Sequence, residues 1–138
     1  MAPTRYWQAA SWVLLAGFLL AAALNMTATA AGFATNHLAD VTGPAWLYIA
    51  IRGLAEPHRG TRIQRLFGRT PQRAALLLFL ASSATEVTQL FWPSGLFRGR
   101  FDPWDIVAFA AGILPLFLLD RRQATARAAT GTAVTPPQ

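Results

Sequence analysis

The chain has 138 residues, enough for one domain, of which 54% are hydrophobic and only 13% charged; a soluble domain carries about 25% charged residues, so long uncharged stretches exclude a soluble fold. There is no cysteine, which removes disulfides, thiolate metal sites, haem attachment and thiol catalysis together. The formal net charge is +6 and all 12 basic residues are arginine, placed beside apolar stretches, so anionic lipid headgroups are a better counter-charge than nucleic acid.

Four apolar stretches predict an all-α fold, a four-helix transmembrane bundle over residues 1–122 with its N- and C-termini cytoplasmic. The first runs from about Trp7 to Met26 without a charge, about the 20 residues that a bilayer requires. A cleavable signal peptide competes for this stretch, since Arg5 precedes it and the small residues of ATAAGFA follow. The run is long for that role, and cleavage would leave three spans of inconsistent charge sidedness. The second stretch, about 38–54, contains Pro44 and is the weakest. Next comes an arginine-rich connection, GTRIQRLFGR, in which Ile63, Leu66 and Phe67 follow i, i+3, i+4. It reads either as a short helix lying on the inner leaflet or as an irregular loop that only fixes topology. The third stretch is about 74–92 and the fourth about 103–119, each roughly 25–29 Å long as a helix, sufficient when the ends snorkel. Residues 123–138 lack apolar periodicity and read as a disordered cytoplasmic tail.

Counting arginines on alternate sides puts ten on one face of the membrane and two, Arg98 and Arg100, on the other. The positive-inside rule assigns the ten to the cytoplasm. Tyr6, Trp7, Trp46, Trp92 and Trp104 are expected near the membrane interfaces. The absence of lysine beside abundant alanine and arginine points to a GC-rich bacterial genome, and hence to a multi-pass protein of the bacterial cytoplasmic membrane.

Ionisable groups inside a span are costly, so their positions are the best functional clue. Glu86 is the most informative: it lies about 9 Å below the outer end of the third span, six residues before Trp92. Ser82, Glu86 and Gln89 share one helical face, which lipid cannot satisfy. The fourth span opens with Asp102-Pro103-Trp104-Asp105, the pattern of an N-cap aspartate, a proline at the first helical position and an acid at the third. Asp105 also sits one turn into the apolar run. Asp40, near the outer start of the second span, belongs to the same leaflet, and Arg98 and Arg100 are the arginines available to neutralise these acids or to bind an anionic group. The cluster Asp40, Glu86, Gln89, Arg98, Arg100, Asp102 and Asp105 thus reads either as a ligand site or as an interhelical network that fixes packing. His37 and His58 fall on opposite sides of the membrane and cannot share a metal; no metal site or cofactor is expected. Gly17 and Gly112 are expected to allow close helix packing.

Residues 74–119 resemble the VanZ-like family of small bacterial membrane proteins. The matching residues are Glu86-x-x-Gln89, an arginine-bearing outer loop, Asp102-x-x-Asp105 and Gly112. Phe109 stands where family members often carry asparagine, which marks a divergent member. The resemblance implies a role at the cell envelope and a link to low-level resistance to the glycopeptide teicoplanin, without implying an enzyme. The expected partners are membrane lipids, a polar or lipid-linked envelope ligand, and other membrane proteins. The alternatives are a small proton-coupled exporter using Glu86, a membrane enzyme with Glu86 or Asp105 as general base, and a non-catalytic subunit of a larger complex.

Overall fold

A computed structural model describes residues 2–27, 33–56, 61–92 and 100–132. The described residues form five helices and no strand: α1 (Ala2–Met26), α2 (Phe33–Arg52), α3 (Arg62–Phe67), α4 (Pro71–Phe91) and α5 (Pro103–Thr132). Local chemistry sets most of their ends. Thr61 and Gln64 form a reciprocal capping box at α3, satisfying two backbone donors that a helix start leaves open. Thr70 accepts from the Arg73 amide at the start of α4, where Pro71 follows. Asp102 does the same for α5, its Oδ1 accepting from the Trp104 amide at 2.9 Å. α2 ends at Gly53, whose φ of +65° suits a residue without a Cβ. The Gly53 amide donates to Ala50 and the Leu54 amide to Ile49, both at 3.1 Å, the paired bonds of a Schellman turn.

Among the described residues, three helices are long and apolar enough to cross a membrane: Arg5–Met26, Pro71–Phe91 and Pro103–Thr130. With them, exposed apolar side chains such as Trp12, Leu19, Leu20, Leu76, Leu80, Val107 and Leu114 make this a membrane protein, since water would not tolerate so extensive an apolar surface. α2 is not among the three. It is instead the central helix: α1 runs chiefly along α2, α5 and α4 pack against its other sides, and α3 sits at its C-terminal end. The long helix that does not qualify as a spanning segment is therefore packed among the three that do.

Contacts along α2 fix the directions. Gln8 Nε2, early in α1, donates to the Ala55 carbonyl just past the end of α2, so these two helices are antiparallel. α5 runs parallel to α2, with His37 meeting Asp105 at one end and Arg52 meeting Asp120 at the other. Two glycines permit the close approach. A Cβ at Gly112 would run into the Val41 carbonyl, and one at Gly17 would lie 3.1 Å from Thr42 Cγ2, as expected of both positions. Most of the apolar core lies toward the arginine-rich end, where Trp7, Tyr48, Ile49, Leu54, Ala74, Leu78 and Ile113 meet.

Two expectations need correcting. Residues 123–132, read as disordered, continue α5 as helix: an alanine-rich segment with good helix formers extends an existing helix without a new nucleation cost. Residues 133–138 lie outside the described residues, as do His58, Arg59 and Arg98. Trp7 is not an interfacial residue facing lipid but is 1% exposed, and its indole N–H donates to Gln123 Oε1 at 3.0 Å. That bond also places the start of α1 and the extension of α5 at the same end of the bundle. Tyr6, Trp92 and Trp104 are exposed, as an aromatic girdle requires.

Candidate functional site

The polar side chains form two groups at opposite ends of α2. The first is assembled where the start of α2, the end of α4 and the start of α5 converge. Glu86 is buried on α4; its Oε1 accepts from Gln89 Nε2 at 3.1 Å, which the shared helical face anticipates. Its Oε2 lies 3.5 Å from the Asp102 amide, so the α4 carboxylate reaches the N-terminus of α5. Asp105, one turn further, has its Oδ1 2.6 Å from His37 Nδ1. Asp40, one turn after His37 on α2, lies against Asp105 and within electrostatic reach of Glu86 and His37. Ser82 enters hydrogen bonding through its carbonyl, which accepts from the Thr85 hydroxyl.

Of the expected site residues, Glu86, Gln89, Asp102 and Asp105 are brought together, with Asp40 beside them. Arg100 is exposed, beside Phe101 and Asp102 at a cleft of about 350 Å³, and among the described residues it forms no ion pair with these acids. Arg98 lies outside the described residues. The structure adds His37, which sequence reasoning had placed only by membrane side. The spacing His37-x-x-Asp40 was the available signal, because residues three apart share a helical face. One ligand atom each from His37, Asp102 and Asp105 lie within 4.8 Å of one another, and the donors are an imidazole nitrogen and carboxylate oxygens. Four carboxyl groups thus gather with one imidazole, so acidic side chains outnumber basic ones in the cluster among the described residues.

The second group, at the arginine-rich end, was not foreseen. Asp120 is 1% exposed and is held by three donors. Arg52 Nε reaches its Oδ2 at 2.6 Å, Arg52 Nη2 its Oδ1 at 3.2 Å, and the Tyr48 hydroxyl its Oδ2 at 2.8 Å. Arg52 Nη1 donates to the Gly68 carbonyl, tying the end of α3 to the same guanidinium. A Cβ at Gly68 would collide with the Ile51 carbonyl, so glycine is what lets this segment come so close. Gln64 Nε2 donates to the Ala50 carbonyl at 3.2 Å, a second tie between α3 and α2. Every polar atom of the Asp120 carboxylate is thereby matched, as a buried charge requires. This group is a structural lock.

Between α4 and α5 lies an apolar groove of about 440 Å³, lined by Phe79, Leu76, Ile113 and Phe117, with Gln72 its polar residue. Its chemistry suits an acyl chain and not a polar ligand. Comparison with protein-family models, with curated proteins and with solved structures finds no match to this chain.

Proposed function

We propose that the chain is a four-span protein of a bacterial cytoplasmic membrane, VanZ-like, with both ends in the cytoplasm, that holds a polar or lipid-linked envelope ligand at its outer-leaflet cluster. The observation that carries this reading is the convergence of Asp40, Glu86, Asp102 and Asp105, from three helices, around His37. A network serving only as helix glue is expected to pair its charges, as Arg52 and Asp120 do at the other end. The outer cluster leaves most of its carboxylates without a basic partner among the described residues, which favours an incoming group of positive charge. The direction of the chain is supported by the arginines. Arg5, Arg52, Arg62, Arg65, Arg69, Arg73, Arg121, Arg122 and Arg127 belong to the end opposite the cluster, and positive residues accumulate on the cytoplasmic side. α2 is 20 residues long, about 30 Å of helix, so its length suits a fourth span once its neighbours shield its polar groups.

The test is Glu86→Gln, which keeps size and hydrogen bonding and removes the charge. Teicoplanin susceptibility of cells carrying the wild-type or variant protein is measured beside thermal stability in detergent. Loss of the phenotype at unchanged stability supports a site. A neutral variant, or joint loss of stability and phenotype, reduces the cluster to packing.

A further inference from the structure

The outer cluster differs from an ordinary patch of acids in holding a largely buried histidine. His37 is 9% exposed, and its Nδ1 faces the carboxylate of Asp105. Asp102 uses Oδ1 to cap α5, which leaves its other oxygen for a further partner. Asp102 is fixed at the cap and Asp105 one turn on, while His37 comes from α2. Three donors are thus placed by two helices that Gly112 holds in close contact.

We propose that His37, Asp102 and Asp105 bind a divalent cation, with Asp40 and Glu86 as supporting carboxylates. This rests on the reading of the outer cluster as a ligand site and names its ligand. Metal–ligand bonds of about 2.0–2.2 Å put ligand atoms no more than roughly 4.4 Å apart. The three donor atoms already lie within 4.8 Å, so small side-chain rotations close the site. A cation replaces the hydrogen shared between His37 and Asp105, which leaves as a proton to solvent. Among the described residues no arginine forms an ion pair with these acids, and acids inside a span pair with a cation where they are ionised. A mixed imidazole and carboxylate set suits Zn²⁺ or Mn²⁺ better than an all-oxygen ion such as Mg²⁺.

The experiment uses the full chain in detergent, free of any affinity tag, stripped with chelator and titrated calorimetrically with Zn²⁺ and with Mn²⁺. Co²⁺ serves as an absorbance probe of imidazole and carboxylate ligation. The expected result is one ion per chain. His37→Gln lowers affinity by more than the roughly 10–100-fold typical of losing a supporting group, and His58→Gln leaves it unchanged. Asp102→Asn is the companion variant, because asparagine caps a helix as well as aspartate; it removes a ligand without removing the cap, and lowers affinity also. Absence of stoichiometric binding by either ion overturns the proposal, and so does binding that survives both His37→Gln and Asp102→Asn. Should His37→Gln not fold, the wild-type Co²⁺ spectrum and Asp102→Asn decide. A chain that binds no metal while Glu86→Gln still abolishes the teicoplanin phenotype refutes the cation and keeps the site. Stoichiometric metal with a neutral Glu86→Gln keeps the cation at the cluster and refutes the link between Glu86 and the teicoplanin phenotype.

Discussion

Replacing Asp120 with asparagine isolates the lock at the arginine-rich end. Asparagine matches the shape of the carboxylate but removes its charge. The Arg52 guanidinium, on a side chain only 13% exposed, then loses its counter-ion, and Tyr48 loses a charged acceptor. Breaking a buried pair by removing one partner costs about 3–5 kcal/mol in soluble proteins, whereas polar contacts inside membranes are worth less, often under about 2 kcal/mol. This pair joins two longer-range elements and α3 as well, so we take about 3 kcal/mol. At roughly 2–4 °C per kcal/mol for a chain of this size, the melting temperature in detergent falls by about 10 °C. A double-mutant cycle with Arg52→Gln then measures the pair itself. The double variant is expected to be less destabilised than the sum of the singles by about 1–3 kcal/mol. Removing both groups with Arg52→Met and Asp120→Leu restores most of the stability, because no unpaired charge is left buried. An Asp120→Asn protein that melts within about 2 °C of wild type, or singles that simply add, would refute the assignment of Asp120 as a matched, stability-bearing ion pair.

Reporter fusions test the proposed sidedness. Those placed after Arg127 or within 61–73 are expected to report cytoplasm, and those after Met26 or Phe91 the outside; a C-terminal reporter active outside the membrane overturns it. Gly112→Ala drives a methyl group into the Val41 carbonyl and is expected to cost about 1–3 kcal/mol as an overpacked contact. Gly43→Ala meets only the Phe18 ring, at 3.2 Å, and is expected to be milder; equal melting temperatures for the two variants would contradict this ranking. Changing Arg62, Arg65 and Arg69 together to glutamine is expected to weaken the preference for anionic over zwitterionic vesicles on reconstitution, since these arginines surround the exposed apolar face of Ile63, Leu66 and Phe67. An unchanged preference would assign α3 no lipid role.

What was legible in the sequence is what nearest neighbours determine. Asp102 with Pro103 marks a helix start because a cap and its partner are a few residues apart; Thr61 with Gln64 and Thr70 with Pro71 carry the same local signal, which sequence reasoning had passed over. Glu86 and Gln89 meet for the same reason. His37 with Asp105 and Arg52 with Asp120 are each 68 residues apart. Their pairing depends on the rotation of α2 against α5, which the glycine contact sets and no local pattern reveals. The extension of α5 was missed because periodicity tests for a buried face, and a helix that projects beyond its neighbours has none to show. The character of α2 was only half visible. Its reduced hydropathy was plain, but the reason, that its surroundings are protein on several sides, is a property of the assembled bundle.

The central place of α2 also bears on how the chain is made. A segment enclosed by its own neighbours need not partition into lipid by itself, and its composition is free to answer to packing and chemistry. Such a segment has no favourable resting state at the moment it leaves the ribosome. Pairing with α1 as a hairpin covers one flank and α4 covers part of another, but the flank that α5 occupies stays open until that helix, which follows α4 in the chain, arrives. Biogenesis is then expected to be post-translational in its decisive step. A nascent chain truncated before α5 leaves α2 exposed to quality-control proteases, and α5 supplied as a separate polypeptide is expected to rescue it.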